Sequence, residues 1–330
     1  MGREEMEKRR PALWIETYGC TLNHADTDIM RGILQEAGYA FAGSEGESSV
    51  AILNTCSVKE ATENKIISRI AQLESLGKKI VVAGCLGINE KRVREAAPDA
   101  VILLPDGVSE IARAVELALR GEGGKIRGGE GKGALPRIYT SPIMRIAAQE
   151  GCLGNCHFCQ TKIARPSLRS LRIKEIRRIA EKAVEAGARE IQVTGQDTGA
   201  YGADIGSSLP EMLEEVLSVE GDFMVRLGMI NPSHAKRFLP QILELLKNPK
   251  FYKFLHVPVQ SGSEKVIGEM NRTHSVGDFE EVVGKVRSEF PDATISTDII
   301  AGYPTETRED FEKSLELLSR IKPDIVNVSK

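Results

Sequence analysis

Six of the 330 residues are cysteines, and three of them fall within ten positions, Glu150-Gly-Cys-Leu-Gly-Asn-Cys-His-Phe-Cys159. Cys152, Cys156 and Cys159 stand in a Cys-x3-Cys-x2-Cys spacing. Three thiolates this close can hold three irons of a cubane [4Fe–4S] cluster, which ordinarily has four cysteine ligands. A loop that supplies three leaves one iron open to a substrate. Other chemistries use the same residue types. Zinc would take the three thiols with His157, but zinc ligand pairs usually sit on two knuckles with a longer spacer between them. A disulfide framework suits short secreted chains. An electron-transfer ferredoxin supplies a fourth nearby cysteine followed by proline, whereas Gln160-Thr-Lys-Ile-Ala follows here.

The other three cysteines, Cys20, Cys56 and Cys85, lie far apart in sequence. Each follows a short apolar run: Leu13–Tyr18, Ser49–Asn54 and Lys79–Ala83 read as strands. Helical periodicity covers Asp26–Ala37, Glu60–Leu76, a short stretch near Glu90–Ala97, and Val108–Leu119, with a fourth strand at Ala100–Leu104. Strands alternating with helices predict a doubly wound parallel sheet over residues 1–120. Such sheets bind ligands outside the carboxyl ends of their strands. Buried cysteine is common in cores, yet three of three at strand ends point to a joint metal or cluster site.

Residues 121–133 contain seven glycines in thirteen positions, which predicts a flexible linker over 121–137. Its Gly-Lys pairs lack the Gly-x4-Gly-Lys-[Ser/Thr] pattern of a phosphate-binding loop. From residue 138 the alternation resumes. Strands are expected at Ile143–Ala148, Glu190–Thr194, Phe223–Met229, Lys253–Val259, Thr294–Ile300 and Asp324–Val328. Helices are expected at Lys174–Ala186, Pro210–Val219, Ala235–Leu246, Phe279–Ser288 and Arg308–Ile321. The fold class is therefore α/β throughout: six β/α units make a partial (β/α)6 barrel over 138–330, with the cysteine loop after its first strand, at the mouth where barrels place their chemistry.

Composition narrows the partners. A formal net charge of −3 with 28% charged residues excludes a globally basic nucleic-acid binder. A local basic stretch remains: residues 137–182 carry ten Lys or Arg against three Asp or Glu. Arg165, Arg169, Arg172, Lys174 and Arg178 begin directly after the cysteine loop. They are either a solvated helix face or an RNA phosphate contact. Met-Gly-Arg-Glu-Glu-Met-Glu-Lys-Arg-Arg lacks the apolar core of a signal peptide, and no apolar run is long enough to span a bilayer. A cytoplasmic protein without a membrane partner is expected.

The cysteine loop resembles the signature of the radical S-adenosylmethionine (SAM) enzymes. Thr17-Tyr-Gly-Cys-Thr-Leu-Asn23 with Asp26, Asn54-Thr-Cys-Ser-Val58 with Ala61-Thr-Glu-Asn-Lys65, and Val82-Ala-Gly-Cys85 resemble the three amino-terminal motifs of the radical SAM methylthiotransferases. Lys162-Ile-Ala-Arg-Pro166, Asp197–Gly206, Arg226-Leu-Gly-Met-Ile-Asn-Pro232, His256–Ser261 and Thr297–Pro304 are similar to the branch that acts on N6-threonylcarbamoyladenosine beside certain tRNA anticodons. The resemblance spans roughly Leu13 to Lys330. It implies two [4Fe–4S] clusters, one on Cys152, Cys156 and Cys159 and an auxiliary one on Cys20, Cys56 and Cys85. It also implies SAM as radical source and methyl donor, an external electron donor, and a tRNA anticodon stem-loop as substrate. Sister members that modify N6-isopentenyladenosine or a ribosomal-protein aspartate, and an iron–sulfur redox module, are the alternatives. Strand-end residues implied as SAM contacts are Gly195, Gln196 and Asp197 for the amino group, Phe158 for adenine, Arg226 for a carboxylate, and Gln260 and Asp298. Each also fits a turn or cap role. The family's small carboxyl-terminal RNA-binding β-barrel (TRAM domain) has no counterpart expected within these 330 residues.

Overall fold

The computed structural model describes residues 10–58, 60–139 and 142–330; the amino-terminal stretch read for a leader lies outside them except for Arg10. The chain divides into two compact units, Met1–Ile138 and Tyr139–Lys330.

In the first unit the elements run β1 (Leu13–Thr17), α1 (Thr21–Glu36), β2 (Val50–Thr55), α2 (Glu60–Ser75), β3 (Lys79–Gly84), α3 (Glu90–Ala96), β4 (Val101–Leu103), α4 (Ile111–Arg120) and β5 (Gly124–Ile126). The strands form one parallel sheet in the order β1-β2-β3-β4-β5. Successive side chains of β2 point to opposite faces, and both faces are covered. Val50 and Ile52 join the core under α1 and α4, while Ala51 and Leu53 pack with α2 and α3. That is why β2 is apolar along most of its length and buried throughout. Residues 40–42 pair on the outer side of β1. The chain thus leaves β1 and β2 over opposite faces, which opens a crevice at their carboxyl ends, where such sheets bind ligands.

Two sequence expectations change here. Helix α1 begins at Thr21 rather than Asp26, with Cys20 as its N-cap residue; Leu22 and Ala25 are buried on its first turns. The glycine-rich linker is also not a loop throughout. Gly124–Ile126 forms the fifth strand, and Lys132 is buried in an ion pair with Asp26 at 2.6 Å. Glycine content measures backbone freedom, and here the neighbouring β4 and the buried carboxylate use it up.

In the second unit the elements are β6 (Ile143–Ala147), β7 (Gln149–Glu150), α5 (Gln160–Ala164), β8 (Arg169–Ser170), α6 (Ile173–Glu185), β9 (Glu190–Thr194), α7 (Leu209–Leu217), β10 (Met224–Leu227), α8 (Pro232–Arg237), α9 (Leu239–Leu246), β11 (Phe254–His256), α10 (Glu264–Glu269), α11 (Val276–Glu289), β12 (Thr294–Ile300), α12 (Arg308–Ile321) and β13 (Ile325–Ser329). Strands β6, β9 and β10 make one parallel sheet and β11, β12 and β13 another. A hydrogen bond from Ile230 N to His256 O, 2.9 Å, joins the end of β10 to β11. The six predicted strands are all present in sequence order. Met144, Ile146, Ile191, Val193, Val225, Leu227, Leu255 and Ile295 face the helices and form the core. The alternate positions, including Arg145, Gln192 and Arg226 in one register row, line the interior face. The helix expected over 235–246 is two, broken at Phe238. Pro240, which has no N–H to donate, sits in the first turn of α9.

Candidate functional site

The amino-terminal cysteines are gathered by the sheet. Register pairs Thr17 with Asn54 and Thr55 with Gly84, so Cys20, Cys56 and Cys85 leave adjacent strands at one edge. A buried polar network stitches the strand ends together. Asn23 Nδ2 donates to Tyr18 O and Thr55 O at 2.9 and 2.8 Å, and Asn54 Nδ2 donates to Asn23 O at 2.6 Å. Thr55 Oγ1 donates to Ala83 O and accepts from Leu86 N. Gly19, at φ +99°, lies so close to Cys56 that a Cβ on it would sit 3.0 Å from the Cys56 sulfur. Cys20 is exposed; Cys56 and Cys85 are buried.

The second cysteine loop is bracketed by an antiparallel pair that the sequence did not announce: β7 pairs with β8, Glu150 opposite Arg169. The Cys152 and Cys156 sulfurs converge on Gly154, lying 3.5 and 3.7 Å from its Cβ position, and Gly154 N donates to Cys152 Sγ at 3.2 Å. Lys162 Nζ donates to Cys152 O at 2.6 Å. Burial, and after it the Asp197 charge and the neighbouring thiols, push the Cys152 thiol up. A metal must therefore displace its proton.

The loop is clamped from the turn after α10. His157 N donates to Met270 O at 3.1 Å, and Asn271 Nδ2 donates to Asn155 O at 2.9 Å. His157 Nδ1 lies 2.8 Å from Glu269 O, which uses this histidine as a tether. Arg272 donates to Cys156 Sγ at 3.4 Å and to Pro258 O at 3.1 Å. Sequence reasoning missed Arg272, because 116 residues separate it from its cysteine.

Among the described residues no three His, Cys, Asp or Glu side chains form a cage for one ion. A single zinc needs its ligands about 2.0–2.3 Å from one point, whereas a cubane spreads three thiolates over three irons. At the second loop the donor set fits a cluster: three thiols in one short loop, with N–H donors on the Cys152 and Cys156 sulfurs, the kind of bond that tunes cluster thiolates.

The other predicted residues divide. A Cβ on Gly195 would lie 2.5 Å from the end of the Gln149 side chain, which would have to shift to admit it. Gln149 bonds Asp197 O and Gln196 N. Gln196 Oε1 is buried without a hydrogen-bond partner. Phe158 is half-buried between two cluster-loop cysteines. Arg226 is exposed on the interior face and stacks on Phe254, 4.5 Å to the ring centre. Asp298 Oδ1 accepts from Asn327 Nδ2 and meets His256 Nε2, each at 2.9 Å. Gln260 holds a left-handed φ of +74°, fixed by bonds to Asp298 O and from Ile300 N, the kind of strain that clusters at ligand sites.

Two expectations are corrected. Asp197 spends its carboxylate inside the protein. Oδ1 accepts from Gly199 N and Asn231 N, and Oδ2 bonds His234 Nδ1. It shapes the loop instead of reaching for a ligand. Arg165 is 4% exposed and paired with Glu150, so it anchors the cysteine loop and cannot meet RNA. Arg169, Arg172, Lys174 and Arg178 are exposed. No helix among the described residues is long and apolar enough to cross a membrane.

Known proteins match both units. The family described as the Radical SAM superfamily matches residues 146–318, and one described as uncharacterized protein family UPF0004 matches residues 12–104. The chain is 47% identical to a probable threonylcarbamoyladenosine tRNA methylthiotransferase of Archaeoglobus fulgidus, over 96% of this chain and 75% of the relative. It is 40% identical to one of Pyrococcus horikoshii, over 96% and 76%. The human threonylcarbamoyladenosine tRNA methylthiotransferase is 36% identical, over 94% of this chain and 55% of its own length. Among solved structures, the radical SAM methyltransferase TsrM of Kitasatospora setae, bound to tryptophan and a SAM analogue, has the same fold, with a TM-score of 0.69 at 12% identity over 97% of this chain and 73% of that one.

Proposed function

This chain belongs to the radical SAM methylthiotransferase family, the family of the threonylcarbamoyladenosine tRNA methylthiotransferases, and from that premise we propose that it is a cytoplasmic enzyme converting N6-threonylcarbamoyladenosine, beside the tRNA anticodon, to its 2-methylthio derivative. One observation carries the reading: each unit has three cysteines at the carboxyl ends of its parallel strands or in the loop beyond them. Cys152, Cys156 and Cys159 would hold one [4Fe–4S] cluster, and Cys20, Cys56 and Cys85 a second. Bound there, the clusters supply an electron for reductive cleavage of SAM and sulfur for transfer.

The chain's own residues bind and orient. Gln196 Oε1, buried and without a partner, accepts a hydrogen bond from the amino group of SAM. Gly195 keeps Gln149 beneath that loop. Phe158 packs on adenine, and Arg226 offers an exposed guanidinium to a carboxylate. Asp298 and Gln260 border the same interior. Leu153 and Ile163, exposed apolar residues near the cysteines, exclude water from the reacting groups. Arg169, Arg172, Lys174 and Arg178 meet phosphates of the anticodon stem-loop, and the target base leaves its stack to reach the site. An external protein or chemical reductant supplies the electron.

The test is iron and acid-labile sulfide on anaerobically purified protein, with and without Cys20→Ala, Cys56→Ala and Cys85→Ala together. About eight irons falling to about four supports two separate four-iron clusters. About four in both proteins leaves an ordinary radical SAM enzyme, and zinc in place of iron ends the reading. Stem-loops bearing N6-threonylcarbamoyladenosine or N6-isopentenyladenosine, and a ribosomal-protein peptide with the target aspartate, then identify the substrate by the mass of the methylthio product.

A further inference from the structure

The turn Glu269-Met-Asn-Arg272 touches the cysteine loop at several points, and all but one of these contacts are neutral. Arg272 alone brings a charge. Its guanidinium donates to Cys156 Sγ at 3.4 Å and is steadied by Pro258 O at 3.1 Å. Its Nε is buried without a hydrogen-bond partner and the side chain as a whole is half-buried, so the charge sits at the cluster loop with less solvent around it than a surface arginine has. Asn271, at a left-handed φ of +55°, turns the backbone so that Asn271 and Arg272 both reach the loop, Asn271 at Asn155 O and Arg272 at the sulfur.

We infer that Arg272 is a positioning residue that makes the cluster on Cys152, Cys156 and Cys159 easier to reduce. The inference rests on the two-cluster reading above. Reduction adds a negative charge to a centre whose thiolates are already anionic. A fixed cation bonded to one of those sulfurs stabilises the reduced form more than the oxidised form. Net charge and hydrogen bonds to the sulfurs are among the factors that set cluster potentials. The neutral contacts of the same turn fix the loop's shape without adding charge, so shape and charge can be varied separately.

The experiment uses the full chain carrying Cys20→Ala, Cys56→Ala and Cys85→Ala, so that one cluster is read. Iron, sulfide and the midpoint potential by EPR-monitored titration are measured for this parent and for Arg272→Lys, Arg272→Gln and Asn271→Ala. The expected result is about four irons in each, a midpoint shifted to more negative potential in Arg272→Gln, and little shift in Arg272→Lys or Asn271→Ala. A Gln variant that takes up no iron beside a Lys variant loaded at the parent's potential also supports the charge requirement. The inference is overturned if Arg272→Gln keeps the parent potential, if Lys and Gln shift alike, if Asn271→Ala shifts as far as Gln, or if both arginine variants lose the cluster. A parent without iron overturns the cluster reading itself.

Discussion

Asp197 and His234 meet through Oδ2 and Nδ1 at 2.8 Å, and the other carboxylate oxygen of Asp197 accepts two backbone N–H groups from the loops after β9 and β10. Asp197→Ala leaves these buried donors unmatched. At about 1–3 kcal/mol for each buried group left unsatisfied, the unfolding free energy should fall by roughly 3 kcal/mol, read by urea denaturation. Asp197→Asn should cost less. It also removes an anion that, after burial, holds the Cys152 thiol up, so the alkylation midpoint of that thiol in cluster-free protein should move to lower pH.

The buried Asp26–Lys132 pair predicts an asymmetry. Lys132→Ala removes one member of a buried ion pair from a carboxylate that is 1% exposed, and breaking such a pair typically costs about 3–5 kcal/mol. Replacing both partners, as Asp26→Leu with Lys132→Met, should cost markedly less than the sum of the single changes in a double-mutant cycle. Additive losses would show that the two groups do not act as a pair.

Gly195→Ala would drive a methyl group into the Gln149 side chain and move it off Asp197 O and Gln196 N. The expected phenotype is a KM for SAM raised by roughly tenfold, about 1.4 kcal/mol of binding, at unchanged iron content. Adding Gln149→Ala removes the clash and should recover part of the loss; an iron content that falls with Gly195→Ala would assign the defect to loop folding.

His274 is buried, its Nδ1 has no hydrogen-bond partner, and burial first and then the Arg272 charge lower its pKa from 6.5 to about 4. The folded state therefore favours neutral imidazole, while the unfolded chain takes up a proton below pH 6.5. This contribution to stability is fully present above pH 6.5 and is lost as the pH falls toward 4, about 3 kcal/mol in all. Stability measured across that window should slope with pH by up to one proton less in His274→Leu than in the native sequence.

Exposed Arg169, Arg172, Lys174 and Arg178 should act on RNA through phosphates. Changing all four to Ala is expected to weaken stem-loop binding similarly for all sequences. It should also lower the salt slope by about 3, since each single-strand phosphate contact contributes about 0.7. Unchanged salt dependence would return these residues to a solvated helix face. Arg165→Ala belongs to another class. It should lower stability through Glu150 and leave the salt slope alone.

Periodicity was enough to read the longer strands of both units, though not β5, β7 or β8, because alternate apolar residues on a strand that packs under helices must face them whatever the tertiary detail. It was also enough to put Cys20, Cys56 and Cys85 at one sheet edge, since parallel strands share a carboxyl end. What stayed hidden depends on partners distant in sequence. Arg165 looked like one more surface cation until Glu150 claimed it. Gly124–Ile126 looked like tether because glycine shows what the backbone is free to do, while β4 decides what it does. Arg272 carries no motif, and only the fold brings it to Cys156. Asp197 was correctly located but assigned outward, since a carboxylate at a strand end looks the same whether it caps a loop or meets a ligand.

The late arrival of β5 and Lys132 has a consequence for synthesis. Asp26 and Lys132 are 106 residues apart, so at about 5–20 residues per second a ribosome takes roughly 5–20 s to deliver the lysine after the aspartate. Throughout that interval Asp26 lacks the cation it is buried with in the finished protein, and late in it, between the synthesis of Leu103 and Gly124, β4 is an open sheet edge. The amino-terminal unit completes its fold only after the glycine-rich stretch has emerged. A fragment ending after α4 would keep all three cysteines of that unit but lack both the strand that covers β4 and the lysine that pairs with Asp26, whereas one ending at residue 138 would contain both.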